Sequence, residues 1–211
     1  MSIFITFEGG EGCGKSVQAR VLYRKLSQLV IPVVLTHEPG GTSLSKKLGR
    51  WLKWAQDTGI SPLAELLLFN TSRTQLVDEV IRPSLEKGKV VICDRYADST
   101  TAYQSYGRGL DLEMVKAINN AATRGVKPNL TVLLDIAAEA GLARKTKKRQ
   151  DRFEREDIAF HQRVRGGYLK LAASEPGRWL VIDASQTRQK IAEIIWQRVR
   201  QLLSRQGFRH E

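Results

Sequence analysis

Short apolar runs alternate along the chain with longer stretches of helical periodicity. Five apolar runs predict strands, over 3–8, 33–36, 90–93, 130–135 and 179–182. The stretches between and after them predict helices, over 17–29, 62–85, 112–124, 157–174 and 188–203. Several strands are apolar almost throughout, which is typical of strands covered by helices on both faces. The pattern predicts an α/β fold, a doubly wound five-stranded parallel sheet flanked by helices, with ligands at the carboxyl ends of the strands.

Length and composition limit the class of protein. The 211 residues predict a single domain over 1–211, and 42% hydrophobic with 27% charged residues excludes both disorder and a membrane-dominated chain. No apolar run approaches the roughly 20 residues of a membrane-spanning helix. The first residues are interpreted as a strand and not as an export signal. Two cysteines, Cys13 and Cys93, are too few for a disulfide framework, so we expect a cytoplasmic protein without a membrane partner.

The chain is basic, and the excess is uneven. There are 34 Lys and Arg against 22 Asp and Glu, a net charge of +12. The segment 144–155 holds seven bases and two acids. An anionic partner is expected there, and nucleic acid, an acidic surface and small-molecule phosphates all remain candidates on charge alone.

A phosphate-binding loop follows the first predicted strand. Residues 9–16, GGEGCGKS, match the pattern G-x-x-x-x-G-K-S/T and lead into a predicted helix. Glycines let the backbone N–H groups converge on one anion, and the start of the helix adds its positive end. Lys15 would reach the β- and γ-phosphates, and the Ser16 hydroxyl would hold Mg²⁺. The predicted ATP-binding residues are Gly9, Gly10, Glu11, Gly12, Cys13, Gly14, Lys15 and Ser16.

A carboxylate near the metal ion is also expected, and two predicted strands end in one. Asp94 is followed directly by Arg95, which could touch a phosphate, so Asp94 is the preferred Mg²⁺ residue. Asp135 is expected to cap the helix that follows it. The guanine-reading motif Asn-Lys-x-Asp is absent from the sequence, which disfavours a GTPase. A small-molecule kinase needs a second pocket and a mobile basic lid, and 144–155 has the composition of such a lid.

Five short motifs then resemble one family closely. They are FEGGEGCGKS at 7–16, EPGGT at 38–42, LLLF at 66–69 with Arg73, DRY with its following residues at 94–104, and DRFE at 151–154. In this order and spacing they resemble the bacterial thymidylate kinases over nearly the whole chain. The resemblance implies a P-loop kinase fold and transfer of the γ-phosphoryl group of ATP to dTMP, giving dTDP and ADP. It also implies Mg²⁺ as cofactor and a homodimer.

The resemblance assigns base recognition to four residues. It implies that Phe69 stacks on the thymine ring, that Arg73 hydrogen-bonds a ring carbonyl, and that the remaining polar edge meets Thr100 and Gln104. From the residues alone, Phe69 could instead be core, because it continues an apolar run. Arg73 could be an exposed helix charge, and Thr100 and Gln104 are ordinary surface types.

Four further residues complete the acceptor site that the resemblance implies. Arg95 would bind the 5′-phosphate, Tyr103 would lie against the deoxyribose, and Glu11 would approach the 3′-hydroxyl. Glu38 would place an acid at the mouth of the second strand, beside Pro39. The residue types leave alternatives open, since Tyr103 could be a packing residue and Glu38 part of an ordinary loop.

The chain departs from the family at two positions. Many relatives carry an arginine where this chain has Gly49, so a phosphate contact by Arg50 is an open question. One branch also has an arginine in the loop where Gly12 stands, and the resemblance then implies that Arg149 or Arg152 of the lid supplies that charge. The expected catalytic residues are Lys15, Arg95, Arg149 and Arg152. Another nucleoside monophosphate kinase, or a nucleic-acid-stimulated ATPase using the basic residues 137–211, is the alternative, although no nucleic-acid partner is expected.

Overall fold

Five parallel strands form the centre of the molecule. The computed structural model describes residues 2–54, 59–145 and 150–206. The strands are β1 (Ile3–Glu8), β2 (Val33–His37), β3 (Val90–Asp94), β4 (Leu130–Asp135) and β5 (Trp179–Asp183), in the order β2-β3-β1-β4-β5. Every neighbouring pair is parallel. The predicted α/β fold with a doubly wound five-stranded sheet is confirmed.

Helices connect the strands and cover both faces of the sheet. They are α1 (Lys15–Gln28), α2 (Ser43–Trp54), α3 (Pro62–Leu76), α4 (Arg82–Glu86), α5 (Ala97–Thr100), α6 (Leu112–Thr123), α7 (Ala138–Ala143), α8 (Ile158–Ser174) and α9 (Arg188–Arg205). Two π-helical segments, Val77–Ile81 and Thr101–Gly107, continue α3 and α5. The predicted helix 62–85 is therefore present, but it is interrupted by the π-helical segment Val77–Ile81 between α3 and α4. Among the described residues, side-chain caps start five helices, at Thr42, Ser61, Asp111, Asp157 and Thr187.

The strands bury alternate residues against opposite helical layers. One face of β1 carries Ile3, Ile5 and Phe7, which pack with α1 and α9. Phe4 on the opposite face packs with the π segment after α3 and with Tyr96. At the β4 and β5 side, Leu133 and Trp179 pack against α8. This two-sided burial leaves the carboxyl ends of the strands as the open edge, where loops can carry chemistry. Within the described residues, we find no helix long and apolar enough to cross a membrane.

Candidate active site

A cavity of about 400 Å³ opens at the carboxyl ends of β1, β2 and β3. Its floor is the loop after β1, with Lys15 and Ser16 at the start of α1. Glu38 and Asp94, which lie at or just after the ends of β2 and β3, form one wall. Two predicted halves, a phosphate site and an acceptor site, therefore share a single continuous cavity.

The loop after β1 has the geometry of an anion cradle. Gly14 is the N-cap of α1 and has a φ of 96°, a left-handed conformation that glycine adopts without strain. The Lys15 amine donates to the carbonyl oxygens of Gly9 at 3.0 Å and Gly10 at 2.7 Å. Cys13 is buried, and its Sγ lies 3.4 Å from the same amine. Lys15 thus folds back over the loop whose N–H groups would hold a phosphate.

Gly12 is in contact with helix α7. A Cβ added at Gly12 would lie 1.9 Å from the carbonyl oxygen of Gly141, and the φ of Gly12 is +67°. Conversely, a Cβ at Gly141 would lie 2.4 Å from the carbonyl oxygen of Glu11. Two backbones approach here more closely than any side chain allows. The arginine that some relatives place in this loop therefore has no room at position 12 in this protein.

Ser16 and Asp94 meet at the cavity floor. The Ser16 hydroxyl donates a short hydrogen bond to Oδ2 of Asp94, which ends β3. A hydroxyl and a carboxylate are oxygen ligands of the kind that Mg²⁺ prefers, and Mg²⁺ is usually held by one or two protein groups together with substrate phosphates. The described residues contain no cluster of three His, Cys, Asp or Glu that could hold a metal ion alone. The donor set fits a nucleotide-borne Mg²⁺.

Asp135, the alternative carboxylate, is engaged elsewhere. Its two oxygens accept from Arg165 of α8 at 2.7 and 2.8 Å. The N-cap of the following helix α7 is Ala137, without a side-chain cap. The expectation that Asp135 caps this helix is therefore wrong, because the helix begins two residues too late for Asp135 to be its N-cap and both carboxylate oxygens are bonded to Arg165.

Arg95 combines an unusual backbone conformation with several hydrogen bonds in the cavity. Its φ of 70° is left-handed, an uncommon conformation for a residue with a side chain and one that clusters at functional sites. Its Nη2 donates to Glu11 Oε1 at 2.6 Å and to the Tyr103 hydroxyl at 3.1 Å. The Tyr103 hydroxyl also donates to Glu11 Oε1 at 2.7 Å. The structure brings together Glu11, Arg95 and Tyr103, three of the residues predicted for the acceptor site.

Glu11 lies at the centre of the positive charge. Burial alone would raise its pKa, but the charges of Arg95, Lys15 and Lys145 outweigh burial and hold the pKa well below its ordinary value. Glu11 is therefore ionised at neutral pH and attracts cations from two sides. The cations that surround this carboxylate could also surround a phosphoryl group, because both groups are anionic.

Glu8 is a buried acid behind Arg95 that sequence reasoning missed. Its oxygens accept from the Tyr96 amide at 2.7 Å, the Ser99 hydroxyl at 2.6 Å and the Tyr168 hydroxyl at 3.0 Å. The same two hydroxyls accept from Arg95 at 3.3 and 3.4 Å. Burial, aided by the charge of Asp98, raises the pKa of Glu8 to about 7. The position, an acid inside an apolar strand just before the glycine loop, was the available signal.

Arg73 is buried at 1% exposure and is bonded to the protein on all sides. Its Nε and Nη2 donate to Glu38 Oε2 at 2.9 and 2.7 Å. Its Nη1 lies within reach of three acceptors, on Asn70, Thr100 and Asn119, at 3.1, 2.8 and 2.9 Å. The alternative of an exposed helix charge is thus wrong. Arg73, Glu38 and Thr100 all line the cavity, and they form one network.

An aromatic wall faces this network. Phe69 is half-buried and lines the cavity, with its ring centroid 5.7 Å from that of Phe153 in the lid segment. Tyr103 packs edge-on against the same Phe153 ring at 5.9 Å. Gln104 also lines the cavity, and its amide donates to Glu65 Oε1 at 2.7 Å. The π-helical turn buries residues 101–105 in succession, which turns both 103 and 104 inward.

The lid segment touches both halves of the cavity. Arg152 points away from the cavity walls: its Nη2 lies 2.5 Å from Glu65 Oε2, and its Nε donates to the Leu52 carbonyl at 3.1 Å. Arg149 lies outside the described residues. Gly49 packs on Pro39, where a Cβ would lie 2.9 Å from the proline Cγ, and Arg50 is exposed and is not a cavity wall. Neither Arg152 nor Arg50 is therefore among the residues that line the cavity.

Comparison with known proteins agrees with this geometry. The family profile described as Thymidylate kinase matches residues 7–195. A thymidylate kinase of Dehalococcoides mccartyi (strain ATCC BAA-2266 / KCTC 15142 / 195) is 57% identical, covering 96% of this chain and 98% of its own. A thymidylate kinase of Roseiflexus sp. (strain RS-1) is 48% identical, covering 92% of each chain. The crystal structure of thymidylate kinase from Ehrlichia chaffeensis superimposes with a TM-score of 0.73 at 38% identity, covering 86% of this chain and 92% of that one. The chain belongs to the thymidylate kinase family.

Proposed function

We propose that this protein transfers the γ-phosphoryl group of ATP to dTMP, giving dTDP and ADP. One observation carries the proposal: the glycine loop and an aromatic-walled second pocket open into the same cavity, with Arg95 between them. Residues 1–211 then form one kinase domain, with 144–155 as its lid. Family membership names the acceptor, and the cavity supplies a place for it.

The residues of the cavity have separate roles in the transfer. The loop N–H groups and Lys15 bind the β- and γ-phosphates, and Arg95 holds the acceptor phosphate in line with them. Tyr103 and Glu11, both bonded to Arg95, orient its guanidinium. No general base is needed, because a phosphate monoester with a second pKa near 6 is already largely ionised at neutral pH. Positioning and charge neutralisation are then the whole task.

Ser16 and Asp94 would hold Mg²⁺, since their oxygens meet at the cavity floor. When bound with ATP, the ion would neutralise charge on the β- and γ-phosphate oxygens. Lys15 and the loop amides bind the same phosphates from the opposite side. Replacement of Asp94 by Asn is expected to weaken Mg²⁺-dependent ATP binding about tenfold in calorimetric titration.

The acceptor base would lie on Phe69, with a ring carbonyl on Arg73. Nη1 of Arg73 has two hydrogens and three oxygen acceptors within reach, so one acceptor is redundant and a ring carbonyl can replace it at little cost. Thr100 and Gln104 border the remaining edge. Cytosine would leave buried donors unpaired, which can discriminate by 10⁴-fold or more, whereas the thymine methyl contributes only about 1–3 kcal/mol over uracil.

A coupled ADP-release assay across the monophosphates tests this assignment. We expect dTMP to react best, dUMP more weakly, and dCMP, AMP and GMP hardly at all. Comparable rates with AMP or GMP would assign the protein to another nucleoside monophosphate kinase. ATP hydrolysis that rises with added DNA or RNA, and not with dTMP, would favour the nucleic-acid ATPase instead.

We also propose a cytoplasmic homodimer. Helices α2 and α3 pack together, with the Ser45 hydroxyl bonded to the Ser72 carbonyl at 2.8 Å. Both expose large apolar side chains, namely Leu44, Trp51, Leu63 and Leu67 at 40–47% exposure. An apolar face of this kind is typical of protein interfaces. Sedimentation equilibrium should give a dimer mass for the natural chain and a monomer mass for Leu67→Glu; a natural chain that remains monomeric at high micromolar concentration would contradict the homodimer.

A further inference from the structure

Lys145 is the one base of the described lid residues, 144–145 and 150–155, that forms part of the cavity wall. Its amine lies 2.7 Å from Glu154 Oε1 and 3.9 Å from Glu11 Oε2. The other oxygen of Glu11 accepts from Arg95. The two oxygens of one carboxylate therefore face two cations, Arg95 from β3 and Lys145 from the lid.

The backbone contact between the glycine loop and α7 explains why Lys145 reaches this point. The carbonyl of Gly141 occupies the space that a side chain at Gly12 would need. That contact removes any cation from the loop at position 12. It also fixes the last turn of α7 over the loop, and the chain continues from there through Arg144 to Lys145. The close approach that leaves no room for a side chain at Gly12 thus also brings the Lys145 amine to 3.9 Å from Glu11 Oε2.

Two arginines that could supply this charge are bound elsewhere, and Lys53, which also lines the cavity, belongs to α2 and not to the lid. Arg152 is paired with Glu65 and the Leu52 carbonyl. Arg73 is held by Glu38 and three further acceptors. Lys145, in contrast, is 38% exposed in its side chain. Its partner Glu154 is 9% exposed but also accepts the Asp151 amide at 3.1 Å, so this carboxylate keeps a hydrogen bond when the amine turns toward a phosphate.

We propose that Lys145 is a catalytic cation of this kinase, which contacts the migrating phosphoryl group from the lid side, opposite Arg95. The proposal rests on the proposed transfer from ATP to dTMP. In that step the bond between the γ-phosphorus and the β,γ-bridging oxygen breaks, and a bond from the same phosphorus to an acceptor phosphate oxygen forms. Lys145 keeps its protons and stabilises the charge on the equatorial oxygens.

The Lys145 amine is protonated at neutral pH. Burial favours its neutral form, but the hydrogen bond to Glu154 and the charge of Glu11 outweigh burial and raise the pKa of Lys145 above its ordinary value. When phosphates enter, they compete with Glu11 and Glu154 for the amine. An ammonium pre-positioned in this way needs little reorganisation during transfer.

The test compares Lys145→Met with Lys145→Arg, and uses Arg155→Ala as matched control. Arg155 belongs to the same lid segment but is exposed, and its Nε bonds the Gln150 carbonyl. Single-turnover rates should be measured by quenched flow, because lid opening or product release can limit kcat. Dissociation constants of ATP and dTMP are measured on the same variants by calorimetry.

We expect Lys145→Met to slow the single-turnover rate about 10²-fold, with less than a threefold change in either dissociation constant. Lys145→Arg should recover at least a tenth of the natural rate, and Arg155→Ala should leave it within twofold. An unchanged rate in Lys145→Met would overturn the proposal, as would equal losses in Lys145→Met and Arg155→Ala. A natural enzyme that fails to phosphorylate dTMP at all would instead refute the proposed function.

Discussion

The buried acid Glu8 predicts a specific dependence of stability on pH. Its side chain is fully buried, and burial, aided by Asp98, raises its pKa from 4.5 to about 7. The folded chain therefore binds a proton at Glu8 more tightly than the unfolded chain does. Between these two values the folded state holds more protons, so the free energy of unfolding contributed by Glu8 falls as pH rises.

The size of this effect follows from the shift. A difference of about 2.5 pH units, at about 1.4 kcal/mol per unit, corresponds to about 3 kcal/mol. The contribution is fully present below pH 4.5 and is lost by the time the pH exceeds 7. Glutamine is neutral at every pH and keeps an oxygen for the Tyr96 amide, while its NH₂ group can donate to the hydroxyls of Ser99 and Tyr168.

Glu8→Gln should therefore remove the contribution of residue 8 to the pH dependence of stability while keeping the hydrogen bonds of its side chain. In urea unfolding at pH 5, 6, 7 and 8, the variant should gain on the natural protein as pH rises, by about 2.5 kcal/mol over the range. The same substitution at Glu86, whose side chain is 69% exposed, is the matched control. Parallel stability profiles for Glu8→Gln and the natural protein would refute the reasoning.

Three further substitutions test separate parts of the structure. In α8, Gly166→Ala should stabilise the protein by about 0.5–1 kcal/mol, because nothing lies within 4 Å of the new Cβ. Gly167→Ala should destabilise it by about 1–3 kcal/mol, because the new Cβ would lie 2.6 Å from Tyr106. Urea unfolding that gives the same sign for both variants would contradict this packing. Gly141→Ala should weaken ATP binding about tenfold in calorimetry by displacing α7 or the glycine loop, so unchanged affinity would be evidence against their contact. Arg152→Ala should lower kcat far more than nucleotide affinity, because it removes the ion pair between the lid and Glu65. Unchanged turnover in a steady-state assay would show that Arg152 has no part in the mechanism.

The strands and long amphipathic helices could be predicted because burial leaves a periodic record in the sequence. The helix Ser43–Trp54 was missed although its apolar and polar residues lie on separate faces, because two of the three residues that it buries, Ser45 and Gly49, carry no apolar signal. The short helix Ala97–Thr100 and the π segment after it are also missed. That region contains several polar residues that are buried because other elements pack on them, so its burial leaves no apolar periodicity in the sequence. The π turn at Val77–Ile81 likewise has no periodic signature.

The phosphate half of the site was predictable in more detail than the acceptor half. The glycine loop is contiguous, so its spacing alone indicates Lys15 and Ser16 as phosphate and metal residues. In the acceptor half, by contrast, partners come from distant segments. Arg73 bonds Glu38 from 35 residues away, and Gln104 bonds Glu65 from 39 residues away. Which cation the lid presents to the cavity depends on such contacts, and sequence spacing cannot distinguish Lys145 from the other bases of 144–155.

The fate of the terminal phosphoryl group tests the central claim most directly. The natural protein is incubated with dTMP and ATP labelled with ³²P in the γ-phosphate, and the products are separated by chromatography. We expect the label to move to the β-phosphate of dTDP in amounts equal to the ADP formed. Label recovered as inorganic phosphate, or ATP left intact in the presence of dTMP and magnesium, would contradict it.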